Sequence, residues 1–129
     1  MAASSIRVLV CTSCRAGEDA HTRPGALLMD ALRARLDERN LDIAVEPVDC
    51  LAVCKRPATV AFAGAGKWTY VIGDLDGVAH VDELIDSARS FAATDNGIVA
   101  WQDRPPCFRK GVVSRTPPCP TFMSSRRQR

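Results

Sequence analysis

Two short cysteine pairs, Cys11-Thr-Ser-Cys14 and Cys50-Leu-Ala-Val-Cys54, each close an apolar run with the pattern of a β-strand. The first run is Ile6-Arg7-Val8-Leu9-Val10; the second carries Leu41, Ile43, Val45 and Val48. Between them Leu28, Leu32 and Leu36, with Ala31 and Ala34 nearby, recur at helical spacing as far as Arg39-Asn40. Strand, helix and strand in that order make a βαβ unit, which sets two strands parallel so that both finish at one end of a sheet. Cys14 and Cys50 stand 36 positions apart in the chain, and this connection is what lets their loops meet.

The other elements follow from the same periodicities. Thr22 is positioned to cap the first helix, whose first turn tolerates Pro24, and Asn40 suits its end. Residues 58–62, after Pro57, and residues 68–72 read as two more strands joined by the turn Gly64-Ala65-Gly66-Lys67. A second helix over residues 81–93 carries Leu84, Ile85, Ala88, Phe91 and Ala92 on one face and stops at Thr94-Asp95-Asn96-Gly97. The order β-α-β-β-β-α predicts a single α/β domain, a small mixed sheet with helices packed on it. After Trp101 the composition changes. Arg104-Pro105-Pro106, Thr116-Pro117-Pro118 and Cys119-Pro120 read as unable to form helix and as lacking an apolar face. The division expected is a metal-binding domain over residues 1–103 and a Pro-rich, basic C-terminal arm over 104–129, packed on the body as far as Pro118.

Charge narrows the function classes. Up to Asp103 there are 10 basic residues against 15 acidic ones, and after it 7 basic residues and none acidic. A body of that sign is not a nucleic-acid binder. No window holds the roughly 18 apolar residues of a membrane span. Residues 1–10 contain one basic residue and a five-residue apolar stretch, which is no secretory signal. The expected location is the cytoplasm, where thiols stay reduced. There, six cysteines suggest metal or redox work rather than disulfides.

Cys11, Cys14, Cys50 and Cys54 are the candidate ligands. Thiolate sulfur suits soft metals, and two pairs delivered by two loops supply four donors. A [2Fe-2S] cluster takes two thiolates per iron, which fits two separate pairs. Tetrahedral zinc accepts the same four, and Cys-x-x-Cys is a common half of a zinc site. Arg15, Lys55 and Arg56 flank the pairs and would favour deprotonated sulfur, or are simply solvated loop residues. A dithiol oxidoreductase using Cys11 and Cys14 is the competing class. Such a thiolate draws its low pKa from an adjacent helix N-terminus, and the eight or so residues that separate Cys14 from the first helix argue against it.

The succession of strand and cysteine, helix, strand and Cys50-Leu-Ala-Val-Cys54-Lys-Arg-Pro57, then a hairpin and a helix, resembles the thioredoxin-like [2Fe-2S] ferredoxins and the related small subunit of respiratory NADH dehydrogenase. Cys11-Thr-Ser-Cys14-Arg15, the stretch from Cys50 to Pro57, and Trp101-Gln-Asp-Arg-Pro-Pro-Cys107-Phe-Arg-Lys-Gly resemble the DUF1636 family of predicted metal-binding proteins. The resemblance implies a thioredoxin-like, ferredoxin-type domain with an extended C-terminal arm. It also implies a [2Fe-2S] cluster on the four cysteines, used for one-electron transfer with an unidentified redox or metal-handling protein. In those ferredoxins the first two ligands stand further apart than Cys11 and Cys14, so zinc stays open as the alternative metal.

The remaining candidates carry less. Cys107 and Cys119 lie in the Pro-rich arm too far apart for a ligand pair, and a buried or free cysteine describes them better. His21 and His80 are lone histidines without ligand spacing. Gly64-x-Gly66-Lys67 lacks the upstream Gly and the following Ser or Thr of a phosphate loop, which leaves a hairpin turn. Trp68 and Trp101 read as packing residues.

Overall fold

A computed structural model of the protein describes residues 6–12, 24–51, 58–77 and 79–118. Cys14, Cys54, Cys119, His21, Arg15, Lys55, Arg56, Thr22 and Pro57 lie outside the described residues. Among the described residues five strands form one mixed sheet: β1 (Ile6–Cys11), β2 (Ala44–Val48), β3 (Val60–Gly64), β4 (Thr69–Ile72) and β5 (Val112–Thr116), in the spatial order β2-β1-β3-β4-β5. β1 and β2 are parallel, with Val8 opposite Val45 and Cys11 opposite Val48; the other pairs are antiparallel. The helices are α1 (Pro24–Glu38), α2 (Val81–Ala93) and the short α3 (Pro106–Lys110).

In β1 the alternation is direct: Ile6, Val8 and Val10 are buried while Arg7 is exposed. Leu32 and Leu36 of α1 meet Leu84, Ile85 and Ala88 of α2 around the same small interior space as Val8 and Val45, so both helices cover one face of the sheet. The other face carries the exposed Arg7–Glu46 ion pair at 3.4 Å. α1 ends as its sequence predicts. Asn40 has a φ of 56°, and Leu41 N–H bonds Leu36 O at 2.9 Å while Asn40 N–H bonds Asp37 O at 3.1 Å. These bonds satisfy carbonyls that the helix leaves open. Because Leu41 closes the helix, β2 begins three residues later than its apolar pattern suggests.

The arm departs from the sequence reading. Pro106 opens α3 at a position whose N–H has no helical partner in any case, and the next two residues, Cys107 and Phe108, are buried. Phe108 meets Tyr70 edge to face at 4.8 Å and Phe62 at 5.5 Å, and Phe91 packs on the same two rings. Arg104 lies over the Tyr70 and Phe108 rings and donates to Tyr70 Oη (3.1 Å) and Val99 O (2.9 Å). The expectation of an arm without helix or apolar face therefore fails. A two-residue apolar step is enough to dock a five-residue helix, after which β5 joins β4 at the sheet edge.

The hairpin turn carries a second role that its sequence does not announce. Gly66 has a φ of 72°, and Lys67 N–H bonds Gly64 O, as a turn requires. Lys67 is only 7% exposed. Its ammonium donates to the carbonyls of Phe91, Ala92 and Thr94, the open C-terminal end of α2. A cation there neutralises the negative helix end and satisfies its acceptors.

Candidate metal centre

β1 lies between β2 and β3, so its C-terminal residue is held from both sides. Cys11 N–H donates to Thr59 O at 3.0 Å, and Thr12 N–H donates to Val48 O at 3.1 Å. Cys11 is 1% exposed, and its Sγ lies 3.8 Å from the carbonyl oxygen of Asp49. Cys50 follows Asp49 directly and is exposed to solvent. Thus the structure brings the Cys11 thiol to the peptide that leads into Cys50, the meeting expected of parallel strands ending together. Of the four expected ligands these two are described. Among the described residues no three His, Cys, Asp or Glu side chains converge as a metal site.

A third element reaches the same place. Gly25, in the first turn of α1, packs so closely on the Cys11 backbone that a Cβ there would lie 1.7 Å from the Cys11 carbonyl oxygen. The separation of about eight residues expected between the first cysteine pair and the helix is counted from Cys14, which lies outside the described residues. At Cys11 itself the first turn of α1 lies against the backbone carbonyl.

Cys107 is a different kind of thiol. It is 7% exposed, and its backbone N–H donates to Glu83 Oε1 at 3.0 Å. Burial first, then the charge and the hydrogen bond of Glu83, pushes its pKa from 9.0 up to about 12. It is a protonated, unreactive sulfur beside a cavity of about 310 Å³ that Asp74, His80 and Lys110 also line. His80 accepts the Asp76 N–H at its Nδ1 (2.9 Å), and its carbonyl receives Leu84 N–H as the cap of α2. That is a structural task. Trp101, expected to pack, is 60% exposed, with the guanidinium groups of Arg104 and Arg109 over its ring.

The raised pKa of Cys107 has a measurable sign. Below pH 9 the thiol is protonated in both folded and unfolded chains, so it adds no pH dependence. Between pH 9 and about 12 the unfolded chain releases the proton while the folded chain keeps it, so stability falls as pH rises, by about 1.4 kcal/mol per unit for this group alone. Urea midpoints measured from pH 8 to 10.5 should fall more steeply for the parent than for Cys107→Ala. Parallel slopes would show that the thiol ionises freely in the folded protein.

Comparison with known proteins bears on the fold. A family model described as "Protein of unknown function (DUF1636)" matches residues 8–118. No curated protein matches the chain. Among solved structures it is similar to a thioredoxin-like [2Fe-2S] ferredoxin from Aquifex aeolicus, at 16% identity and a TM-score of 0.58, covering 88% of this chain and 94% of that one. A cysteine-to-serine variant of that ferredoxin matches at 15% identity and a TM-score of 0.56, covering 84% and 98%. The fold is of the thioredoxin-like ferredoxin type. Among the described residues no helix is long and apolar enough to cross a membrane.

Proposed function

This chain belongs to the DUF1636 family, and we propose that it holds a soft metal centre through Cys11, Cys14, Cys50 and Cys54. We take the centre to be a [2Fe-2S] cluster, as in the ferredoxins of the same fold, serving one-electron transfer with a redox or metal-handling protein partner. The observation that carries this reading is the 3.8 Å contact of Cys11 Sγ with the carbonyl of Asp49, which puts the first thiol against the peptide leading into the second pair.

The residues suit such a group. Their donors are sulfurs, which soft metals prefer, and Cys11 is fixed by its own N–H bond to Thr59 O and by that of Thr12 to Val48 O in β2, while Cys50 is exposed. Cys11 would thus be the inner, rigid ligand and Cys50 the outer one, on the side open to assembly and to a partner. When bound, a cluster of this type supplies a one-electron acceptor. The short Cys11–Cys14 spacing favours zinc as the second reading. Anaerobically purified protein should contain about two irons and two sulfides per chain, with visible absorption that bleaches on reduction. A colourless protein with one zinc per chain would replace the cluster by zinc. A metal-free protein that reduces a model disulfide through Cys11 and Cys14 would make it a dithiol oxidoreductase.

A further inference from the structure

We propose that Gly25 is a positioning residue of the cysteine centre, through which the first turn of α1 fixes the end of β1 that carries Cys11. The inference rests on the reading of Cys11 as a ligand. A Cβ built at Gly25 would stand 1.7 Å from the Cys11 carbonyl oxygen, 2.8 Å from its carbonyl carbon and 3.4 Å from the Cα of Thr12. All three are backbone atoms, so no side chain can swing away to make room. Backbone conformation does not account for the glycine, because Gly25 sits inside a regular helix and is not among the residues with positive φ. Alanine is the better helix former. What the glycine provides is contact between two backbones.

That contact completes a three-sided clamp. Thr59 of the segment entering β3 accepts the Cys11 N–H, Val48 of β2 accepts the Thr12 N–H, and α1 bears on the carbonyl between them. Retreat of α1 is opposed by Leu28 and Leu32, 0% and 2% exposed, whose burial it would undo. A side chain at position 25 must therefore shift the end of β1 or the helix by more than an ångström before it reaches ordinary contact distance. Metal–sulfur distances hold to about ±0.2 Å. A displacement several times larger takes Cys11 out of register with its partner ligands.

Cobalt(II) titration of the full-length apo-protein tests this, with the thiolate-to-cobalt absorption as readout. Gly25→Ala should lower cobalt affinity at least tenfold. Gly77→Ala, whose added methyl group would stand at ordinary contact distance, 3.6 Å, from the Leu28 backbone of the same helix, should stay within threefold of the parent. Leu28→Ala, which loosens the same helix by removing a fully buried side chain three residues further on, should do likewise. Equal affinity of Gly25→Ala and the parent, or equal losses in Gly25→Ala and Leu28→Ala, would overturn the positioning role while leaving the metal reading intact. A parent that takes up no cobalt would defeat the metal reading and this inference together. Should Gly25→Ala fail to fold, hydrogen exchange of the parent decides. Cobalt should protect amides 25–28 more than amides 35–38, and equal protection at both ends of α1 would refute the coupling.

Discussion

Replacing Cys50 by Ala is expected to strip the metal centre while leaving the fold in place. The two halves of that statement come from different observations. Cys50 is exposed and lies beyond the end of β2, so truncating its side chain opens no cavity and should change the stability of the metal-free protein by less than about 0.5 kcal/mol. A four-thiolate centre that loses a ligand loses more than the 10–100-fold typical of outer-shell changes, so affinity should drop by at least about 100-fold. Cys50→Ser keeps an oxygen at the same place, a harder donor that soft metals bind less well. It should retain part of the centre with altered absorption. Metal content and the visible spectrum of the three proteins, each checked for intact secondary structure, give the order parent, Ser, Ala. Full occupancy in Cys50→Ala would remove Cys50 from the ligand set, and with it the proposed four-sulfur centre.

What the sequence made legible were the parts governed by local periodicity. The apolar face of α2 predicts residues 81–93, the span observed, and the run 6–10 finds β1 to within a residue. Asn40 marks the end of α1 because its backbone takes the left-handed conformation that closes a helix. The proximity of Cys11 to the Cys50 loop was legible too, since it follows from parallel strands. Contacts set by tertiary packing were not. Gly25 looks like an ordinary residue in a first turn, because nothing in the chain says that the Cys11 carbonyl lies against it. Lys67 looks like a turn lysine, although its partners belong to a helix end more than twenty residues away. In the arm, Pro105-Pro106 and the basic residues mask the single step Cys107-Phe108 that docks it. Prolines mark where a helix cannot continue more reliably than where one cannot begin.

That step is also where the largest loss of stability is expected. Phe108 is fully buried, edge-on to Tyr70 at 4.8 Å and to Phe62 at 5.5 Å, with Arg104 over its ring. Phe108→Ala removes the aromatic contact and leaves a cavity between rigid rings, a change that costs about 3–5 kcal/mol. Thermal unfolding should move down by roughly 10 °C or more. The loss should be uneven, because Phe108 and Cys107 are the buried residues of α3. Without Phe108 the helix retains one small anchor, so Cys107 should become reactive toward a thiol reagent at pH 8 under conditions where the parent protects it. Cys11 lies on β1, with β3 and β4 between it and β5. A variant that still folds should therefore bind metal at Cys11 and Cys50 as the parent does. A destabilisation below about 1 kcal/mol, with Cys107 still protected, would mean that the arm is held by β5 pairing alone and that the aromatic step contributes little to docking it.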